Sequence, residues 1–169
     1  ILGNICTRSC GFCDVITGKP GAVDLDEPRR IAESLARLNL RYAVITSVDR
    51  DDLPDGGAFI WAQTIRKIKR LSPQTELEVL TGDFKGDYDC IASVIEAKPD
   101  VFAHNVETVE SLHALVRPQA KYERSLDVLR HARSLGAVTK TGMMLGVGET
   151  NEEVFKTMAD LAEAGVEIL

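Results

Sequence analysis

The sequence is poor in aromatic residues and has no long apolar run. Phe, Trp and Tyr make up 5% of its 169 residues, and no apolar stretch approaches the roughly 20 residues that cross a bilayer. Acidic side chains outnumber basic ones by 26 to 20, whereas nucleic-acid-binding domains usually present a basic face. The sequence therefore predicts a globular protein with neither a membrane nor a nucleic acid as a partner.

Cysteine is also scarce, and its placement is uneven. Three of the four cysteines, Cys6, Cys10 and Cys13, lie within one short stretch, and Cys90 stands alone. A disulfide scaffold would spread more cysteines over a shorter chain. Clustered thiols instead favour metal binding in a reducing compartment, which predicts the cytoplasm, or the mitochondrial or plastid matrix if the source is eukaryotic.

Apolar runs alternate regularly with helical patterns along the chain. The runs predict strands over residues 1–5, 42–46, 77–80, 101–103 and 138–145, with a sixth beginning at Val166. Amphipathic segments between them predict helices, one of which opens with a capping box formed by Thr150 and Glu153. Such βα repetition implies parallel strands joined by right-handed crossovers. An open doubly wound sheet and an open barrel of the TIM type both fit, and periodicity does not separate them.

Both ends of the sequence read as strands without neighbours. Sheet and barrel domains seldom begin and end inside an element, because the orphan edges would pair with other chains. No linker or low-complexity segment interrupts the alternation. Residues 1–169 are therefore predicted to form a single α/β domain that is truncated at both ends.

Polar clusters follow the carboxyl ends of the predicted strands. They comprise residues 6–14, 46–52, 81–86, 104–107 and 146–150. Because parallel strands place these loops at one rim, where α/β folds keep their active sites, we expect a single site there.

The cysteine cluster has the spacing C-x₃-C-x₂-C. Three thiolates on one loop can hold three corners of a cubane iron–sulfur cluster, and the fourth iron is then free to bind a small molecule. The alternative is a zinc site, which normally takes four protein ligands. A fourth ligand would have to be Asp14, His104 or Cys90, none of which has familiar zinc spacing, so the pattern favours iron–sulfur.

This spacing resembles the signature of the radical S-adenosylmethionine (SAM) superfamily. Phe12 occupies the aromatic position before the third cysteine, and residues 142–149 resemble the G-x-I-x-G-x-x-E motif with Met144 in place of the isoleucine. Residues 44–53 and 148–153 resemble the lipoyl synthase family in particular, and the match extends over essentially the whole chain. Gly11 stands where that family usually has proline.

The resemblance implies a partial (β/α)6 TIM-like open barrel that holds a [4Fe–4S] cluster on Cys6, Cys10 and Cys13. It implies that the reduced cluster cleaves SAM and that the resulting radical attacks the octanoyl chain of an octanoylated lipoyl carrier domain or protein. An electron donor such as ferredoxin or flavodoxin would reduce the cluster. In that family a second, auxiliary [4Fe–4S] cluster supplies the sulfur through cysteines upstream of the present Ile1, so it is expected in the full-length protein only.

The resemblance also suggests which residues bind the nucleoside of SAM. Asn105 and Glu107 would reach the ribose hydroxyls, and the alternative is an acid that stabilises a helix N-terminus. Gly142 and Gly146 would bring the backbone close to the adenine, with Met144 as a soft contact. Methionine equally often fills a gap in a core.

Thr46, Ser47 and Lys140 are suggested for the amino-acid end of SAM, with Lys140 as the charge that binds its carboxylate. A solvated rim lysine is the alternative for Lys140. Residues 49–52 read as a solvated loop with internal ion pairs, and the family match favours a role in organising the site. His104 is predicted to form hydrogen bonds at the rim.

Two further interpretations of function stay open beside a radical SAM sulfurtransferase of the lipoyl synthase kind. One is a truncated module that binds the cluster and SAM without turnover, and the other is a different radical SAM enzyme. Without ligands for the auxiliary cluster, the chain alone is predicted to cleave SAM at most and to make no lipoyl product.

Overall fold

The computed structural model describes all 169 residues and is built around a parallel four-stranded sheet. Strands β1 (Ile5–Cys6) and β2 (Ile16–Thr17) form a separate parallel pair, and the main sheet consists of β3 (Tyr42–Thr46), β4 (Glu76–Leu80), β5 (Val101–Ala103) and β6 (Thr139–Lys140). The sheet order β3–β4–β5–β6 follows the order of the chain. A doubly wound sheet reverses its order at a switch point, so the arrangement is the open, partial barrel.

Six α-helices lie between and after the strands. They are α1 (Glu27–Leu38), α2 (Ala58–Leu71), α3 (Tyr88–Glu96), α4 (His113–Val116), α5 (Tyr122–Ser134) and α6 (Asn151–Glu163). None of them combines the length and the apolar character that a membrane span requires. The predicted capping box opens α6, because Thr150 Oγ1 accepts a hydrogen bond from the Glu153 amide and the Glu153 carboxylate accepts one from the Thr150 amide.

Apolar side chains fix the helices to one face of the main sheet. The sheet contributes Leu77, Val79 and Phe102, and the helices contribute Trp61, Ile65, Ile68, Ile91, Val94 and Val128, all of them at most 1% exposed. Burying one large aliphatic side chain stabilises the fold by roughly 1.5–3 kcal/mol. This layer therefore holds the strands in register and fixes where their carboxyl ends, and the loops that follow them, are placed.

The opposite face of the sheet is more open and carries three linked polar side chains. Tyr42 and Val44 of the edge strand β3 are 44% and 51% exposed. Glu78 of β4 is buried, and its carboxylate accepts hydrogen bonds from the Tyr42 hydroxyl and, at 2.9 Å, from the Lys140 ammonium group of β6. The bond to Glu78 raises the pKa of Tyr42 to about 12. Lys140 is thus the counter-ion of a buried acid.

The predicted strands over residues 42–46, 77–80 and 101–103 are confirmed, and three other predictions of strands are wrong. The first strand is reduced to Ile5–Cys6, because Leu2 and Gly3 have positive φ angles that interrupt an extended run. Strand β6 stops at Lys140, and the segment after it instead bridges to the loop that follows β5 through Met143 and Glu107. No strand begins at Val166, and Ile168 forms only an isolated bridge to Lys140.

Candidate functional site

A cavity opens at the carboxyl ends of β3, β4 and β5, where the sequence predicts the site. The three clustered cysteines, Cys6, Cys10 and Cys13, all line it. It is also lined by predicted SAM contacts from several loops, which are Phe12, Thr46, Ser47, Asn105 and Glu107. The structure therefore brings side chains that are up to about a hundred residues apart in sequence to one place on the rim.

The other predicted SAM contacts lie outside this cavity. Lys140 is paired with Glu78 at 2.9 Å. The carbonyl of Gly142 accepts a hydrogen bond from the Glu107 amide at 3.0 Å, and the Glu107 carbonyl accepts one from the Met144 amide at 2.9 Å. Gly146 is exposed. The glycine-rich segment adjoins the cavity through Glu107, and its contacts with SAM stay predictions.

The three cysteines are free thiols in different surroundings. The Cys6 sulfur accepts hydrogen bonds from the amides of Arg8 at 3.4 Å and Asp49 at 3.3 Å. Burial raises the pKa of the Cys10 thiol, and the charge of Arg117 partly opposes this. Cys13 is exposed. Amides that point at a cysteine sulfur stabilise its thiolate and are among the groups that set the potential of an iron–sulfur cluster.

These thiols fit a cluster better than a single metal ion. No group of three or more His, Cys, Asp and Glu side chains is arranged to hold one metal ion, although a tetrahedral zinc site would bring its sulfurs to within about 3.8 Å of one another, given Zn–S bonds of about 2.3 Å. The irons of a cubane are separate, so each cysteine binds its own corner. Three thiols that share a cavity without converging on one point suit that geometry.

The loop of Cys6 is anchored by a buried arginine. The Nε and Nη2 atoms of Arg8 donate to the two carboxylate oxygens of Asp51 at 2.8 and 2.9 Å, and Nη2 also donates to Asp83 at 2.5 Å. Asp83 has no exposed surface and accepts a further bond from Arg124 at 3.2 Å. Bidentate, charge-assisted bonds of this kind are the strongest that side chains make, so they fix the backbone next to Cys6.

Thr7 joins the same two loops through its backbone and its hydroxyl group. Its amide and its Oγ1 both donate to the carbonyl of Asp49, at 3.0 and 2.9 Å. The Asp51 amide donates to Thr7 Oγ1 at 2.9 Å. The loop after β3 is therefore tied to the cysteine loop. Asp49 and Asp51 face Arg8 and are partly buried, and Asp52 forms the predicted internal ion pair with Arg50 at 2.9 Å.

Two acids beside Arg8 have opposite pKa shifts. Burial alone would raise the pKa of Asp83, but the hydrogen bond and the charge of Arg8 hold it well below its usual range. Burial raises the pKa of Asp49, and Arg8, which is 3.8 Å away, only partly opposes this. A Cβ atom at Gly82 would lie 2.1 Å from Asp49 Oδ1, so only glycine leaves room for that carboxylate at the cavity.

Asn105 and Glu107 form the wall of the cavity next to the glycine-rich segment. Burial raises the pKa of Glu107, and a hydrogen bond from Asn105 partly lowers it again. Glu107 has a φ angle of +66°, a conformation that is strained for a residue other than glycine. A Cβ atom at Gly142 would lie 3.0 Å from Asn105 Oδ1. The nearest helical turn begins only at Glu110, so the interpretation of Glu107 as a helix N-terminal acid is not supported.

His104 lines the cavity and forms hydrogen bonds, as predicted, but it has no exposed surface. Its imidazole is fully buried and bonds to the Thr81 carbonyl and to Ser125 Oγ, each at 3.0 Å. Burial and the nearby charge of Arg117 lower the pKa of His104 to about 4. Its imidazole is therefore neutral at pH 7, and its hydrogen bonds satisfy both ring nitrogens.

Two arginines at the site had no role assigned from the sequence. Arg8 and Arg117 both line the cavity and are 4% and 7% exposed. Each lies in a stretch that resembles the lipoyl synthase family, in Cys6-Thr7-Arg8 and Val116-Arg117-Pro118. The only sequence feature that could have singled out these arginines is their place in stretches that resemble the family. Their roles depend on contacts with distant parts of the chain, which the sequence does not show.

Sequence comparisons agree with this geometry. A sequence model described as the Radical SAM superfamily matches residues 1–161. The whole chain is 60% identical to a lipoyl synthase from Rubrobacter xylanophilus and 58% identical to one from Pyrobaculum arsenaticum, and it covers 53% and 58% of those proteins. The chain thus spans about half the length of the curated relatives that it matches.

Solved structures share the fold at low sequence identity. A methylornithine synthase superposes with a TM-score of 0.78 at 14% identity, over 99% of this chain and 51% of that one. A radical SAM methyltransferase from Kitasatospora setae, solved with cobalamin and a [4Fe–4S] cluster, gives 0.70 at 17% identity, over 96% and 34%. SuiB from Streptococcus suis, bound to S-adenosylmethionine, gives 0.73 at 11% identity, over 97% and 37%. With its cysteine motif at the rim of this fold, the chain belongs to the radical SAM superfamily.

Proposed function

We propose that this chain is the radical SAM core of a lipoyl synthase, a single domain over residues 1–169. The observation that carries the proposal is the meeting of Cys6, Cys10 and Cys13 at a cavity that Asn105 and Glu107 also line. Identity of 52–60% to several lipoyl synthases over the whole chain supports the particular family. When bound, a [4Fe–4S] cluster supplies the single electron that breaks a carbon–sulfur bond of SAM.

The residues of the chain hold and shield these partners. The three cysteines bind three corners of the cluster, and the amides of Arg8 and Asp49 orient the Cys6 sulfur. Phe12, which is 44% exposed and lines the cavity, would shield the cluster from solvent. Excluding water from such a site strengthens the electrostatic interactions within it.

The remaining predicted residues bind SAM. We assign Asn105 and Glu107 to the ribose, and Thr46 and Ser47 to the amino-acid end, since all of them line the cavity. Gly142, Met144 and Gly146 are proposed to border the adenine, because the backbone of this segment is hydrogen-bonded to Glu107. Lys140 also stays a proposed SAM contact, although its present partner is Glu78.

In the complete protein the proposed reaction inserts sulfur into the octanoyl chain of a lipoyl carrier domain or protein. A ferredoxin or flavodoxin would deliver the electron, and a second, auxiliary [4Fe–4S] cluster would provide the sulfur. Free thiols that must stay reduced to bind iron favour the cytoplasm or an organelle matrix. These parts of the proposal rest on similarity to relatives about twice as long as the chain.

A second candidate is a module that binds cluster and SAM without turnover. It is favoured by the coverage of only about half of each curated relative. Both candidates predict that the chain alone makes no lipoyl product. They differ in whether reduced, loaded chain converts SAM into 5′-deoxyadenosine and methionine, which chromatography of the quenched reaction measures directly.

The first test is reconstitution with iron and sulfide in the absence of oxygen, followed by EPR of the reduced chain with and without SAM. We expect the signal of a reduced cubane that changes when SAM is added. Cys10→Ala should abolish that signal. Cys90→Ala is the matched control, since Cys90 lies on α3 away from the cavity, and should retain it. Iron uptake that survives Cys10→Ala, or a spectrum indifferent to SAM, would contradict the proposal.

A further inference from the structure

Residues 10–13 form a tight turn that brings two of the three clustered thiols together. The Cys13 amide donates to the Cys10 carbonyl at 3.1 Å, with Gly11 and Phe12 as the turn residues between them. The first and last Cα atoms of such a β-turn lie less than about 7 Å apart, and a disulfide joins residues whose Cα atoms are about 4.4–6.8 Å apart. The backbone therefore already places Cys10 and Cys13 within reach of a disulfide.

Contacts from a distant loop hold this turn in place. The Gly11 amide donates to the Val116 carbonyl at 2.8 Å. Just before the turn, the Ser9 amide donates to Gln119 Oε1 at 3.2 Å, and Gln119 Nε2 donates to Ser9 Oγ at 3.0 Å. Because the backbone is ordered before the two sulfurs meet, a bond between them costs little further backbone entropy.

Cys6, the third thiol of the cavity, is held away from such a bond. It lies in β1, and its carbonyl accepts a hydrogen bond from the Gly18 amide at 2.9 Å. Its sulfur accepts hydrogen bonds from the amides of Arg8 and Asp49. No backbone hydrogen bond joins Cys6 to either of the other two cysteines, so a disulfide from Cys6 would break contacts that hold β1.

The exposure of the two sulfurs sets the order in which they react. Cys13 is exposed and Cys10 is half-buried, so a small disulfide such as glutathione disulfide reaches Cys13 first. The Cys13 sulfur attacks one sulfur of glutathione disulfide, which forms a mixed disulfide and releases one glutathione thiol. The Cys10 sulfur then attacks the Cys13 sulfur and releases the second. The two protein thiols lose two hydrogens and two electrons overall, and glutathione disulfide takes them up as two thiols.

We propose that the cluster-free chain closes a Cys10–Cys13 disulfide in this way, and that the bond keeps the cluster out until a thiol reductant reopens it. The C-x₂-C spacing is that of dithiols that oxidise and reduce reversibly in other proteins. The disulfide occupies two of the three thiols that a cluster needs. This second part of the inference rests on the proposed function, because it takes the cysteines as cluster ligands.

The first test identifies the disulfide by mass spectrometry. The reduced chain is incubated without metal and without oxygen in excess glutathione disulfide, alkylated with iodoacetamide and digested with trypsin. Cleavage after Arg8 separates Cys6 from one peptide that holds Cys10 and Cys13. That peptide should carry no alkyl group and be lighter by two hydrogens than the reduced peptide, whereas Cys6 should be alkylated.

Two variants check the order of the steps. Cys10→Ala should stop at the mixed disulfide and retain one glutathione on Cys13. Cys90→Ala is the matched control, since Cys90 is buried on α3 and does not line the cavity, and it should form the Cys10–Cys13 disulfide unchanged. A disulfide that includes Cys6, or free thiols at both Cys10 and Cys13, would overturn the inference.

The second test measures cluster uptake by the oxidised and the reduced chain. Each is freed of small molecules and mixed, without added thiol, with a scaffold protein that carries a [4Fe–4S] cluster, and visible absorbance is read after the proteins are separated. The reduced chain should take up the cluster, and the oxidised chain should take up none until dithiothreitol has reduced it. Equal uptake by both would reject the switch and leave the proposed function standing. No uptake by the reduced chain would reject the proposed function and the switch with it.

Discussion

Residues 6–9 and residues 11–15 belong to one cysteine loop, yet the chain anchors them very differently. The first half carries Thr7 and Arg8, whose hydrogen bonds tie Cys6 to the loops after β3 and β4. The second half is exposed at every position, and its backbone is fixed mainly by bonds from Gly11 to Val116 at 2.8 Å and from Cys13 to Cys10 at 3.1 Å.

The difference assigns separate tasks to the two halves. Cys6 is placed by the fold itself, because a buried network of charges holds its neighbours and two amides hold its sulfur. Cys13 is placed by one local turn, the bond from its amide to the Cys10 carbonyl, and by the bond from Gly11 to Val116. The chain therefore fixes Cys6 by tertiary contacts and leaves Cys13 at an exposed position.

The largest effect on stability is expected when Arg8, which anchors residues 6–9, is replaced. Arg8→Met should lower the free energy of unfolding by about 3–5 kcal/mol, since it leaves buried acids without their partner. Urea titration followed by the fluorescence of Trp61, the one tryptophan and a fully buried residue, measures the loss. Arg29→Met is the control, because Arg29 pairs with Asp26 and Glu33 at the surface, where solvent screens an ion pair and its loss should be far smaller. Similar losses in the two variants would contradict the anchoring role.

The next largest effect on stability is expected for Asp83, and it distinguishes this residue from Asp49, the other acid with a shifted pKa beside Arg8. Asp83→Asn should cost about 1.5–3 kcal/mol at pH 7, because bonds between charged groups are lost. The pKa of Asp83 is depressed in the folded chain, so its contribution is complete above the unfolded value of about 3.9 and is lost as the pH falls through the lower folded value. The deficit of Asp83→Asn should therefore shrink in titrations below about pH 4.

Asp49→Asn is the counterpart and should behave in the opposite way. Burial raises the pKa of Asp49 in the folded chain, so its ionised form at pH 7 is disfavoured by folding. The substitution should leave stability at pH 7 equal or higher, as the same urea titration would show. A loss as large as that of Asp83→Asn would mean that both acids are structural counter-ions of Arg8.

A smaller effect is expected in the reactivity of the thiols before any cluster is loaded. Cys13 is exposed, whereas burial raises the pKa of Cys10 and reduces its reactive thiolate form. Limited alkylation with iodoacetamide should modify Cys13 before Cys10. Trypsin cleavage after Arg8 separates Cys6 from the other two cysteines, and fragmentation in the mass spectrometer distinguishes these. Faster modification of Cys10 than of Cys13 would contradict the proposed difference in exposure.

The smallest change in stability is expected for Phe12→Ala, in the second half. Phe12 is 44% exposed, so the free energy of unfolding should change by no more than about 0.5 kcal/mol. The loaded cluster should nevertheless lose its visible absorbance faster in air, because the ring is proposed to shield it. An unchanged rate of absorbance loss would show that Phe12 does not shield the cluster.

The order and kind of the main elements could be predicted because they depend on local patterns. Alternating burial along Tyr42–Thr46 and the capping box at Thr150 are properties of neighbouring residues. The ends of β1 and β6 could not be predicted in this way. Positive φ angles at Leu2 and a bridge between Met143 and Glu107 are set by distant parts of the chain.

The residues of the site also divide into those that the sequence predicts and those whose roles depend on distant contacts. The cysteine spacing identifies Cys6, Cys10 and Cys13, and the fold places all three at one cavity. The partners of Arg8, Arg117 and Lys140 could not be read from the sequence, since each partner comes from another loop or strand. Burial of His104 likewise depends on Ser125, a residue of α5 that no local pattern links to it.

The backbone of Glu107 links stability and chemistry at the mouth of the cavity. At a φ angle of +66°, a glutamate there costs about 1–3 kcal/mol compared with a residue that adopts this conformation freely. A population of chains selected only for heat resistance would therefore accumulate glycine at this position. The cavity would lose a carboxylate, and with it the proposed contact to the ribose, while the core stayed intact.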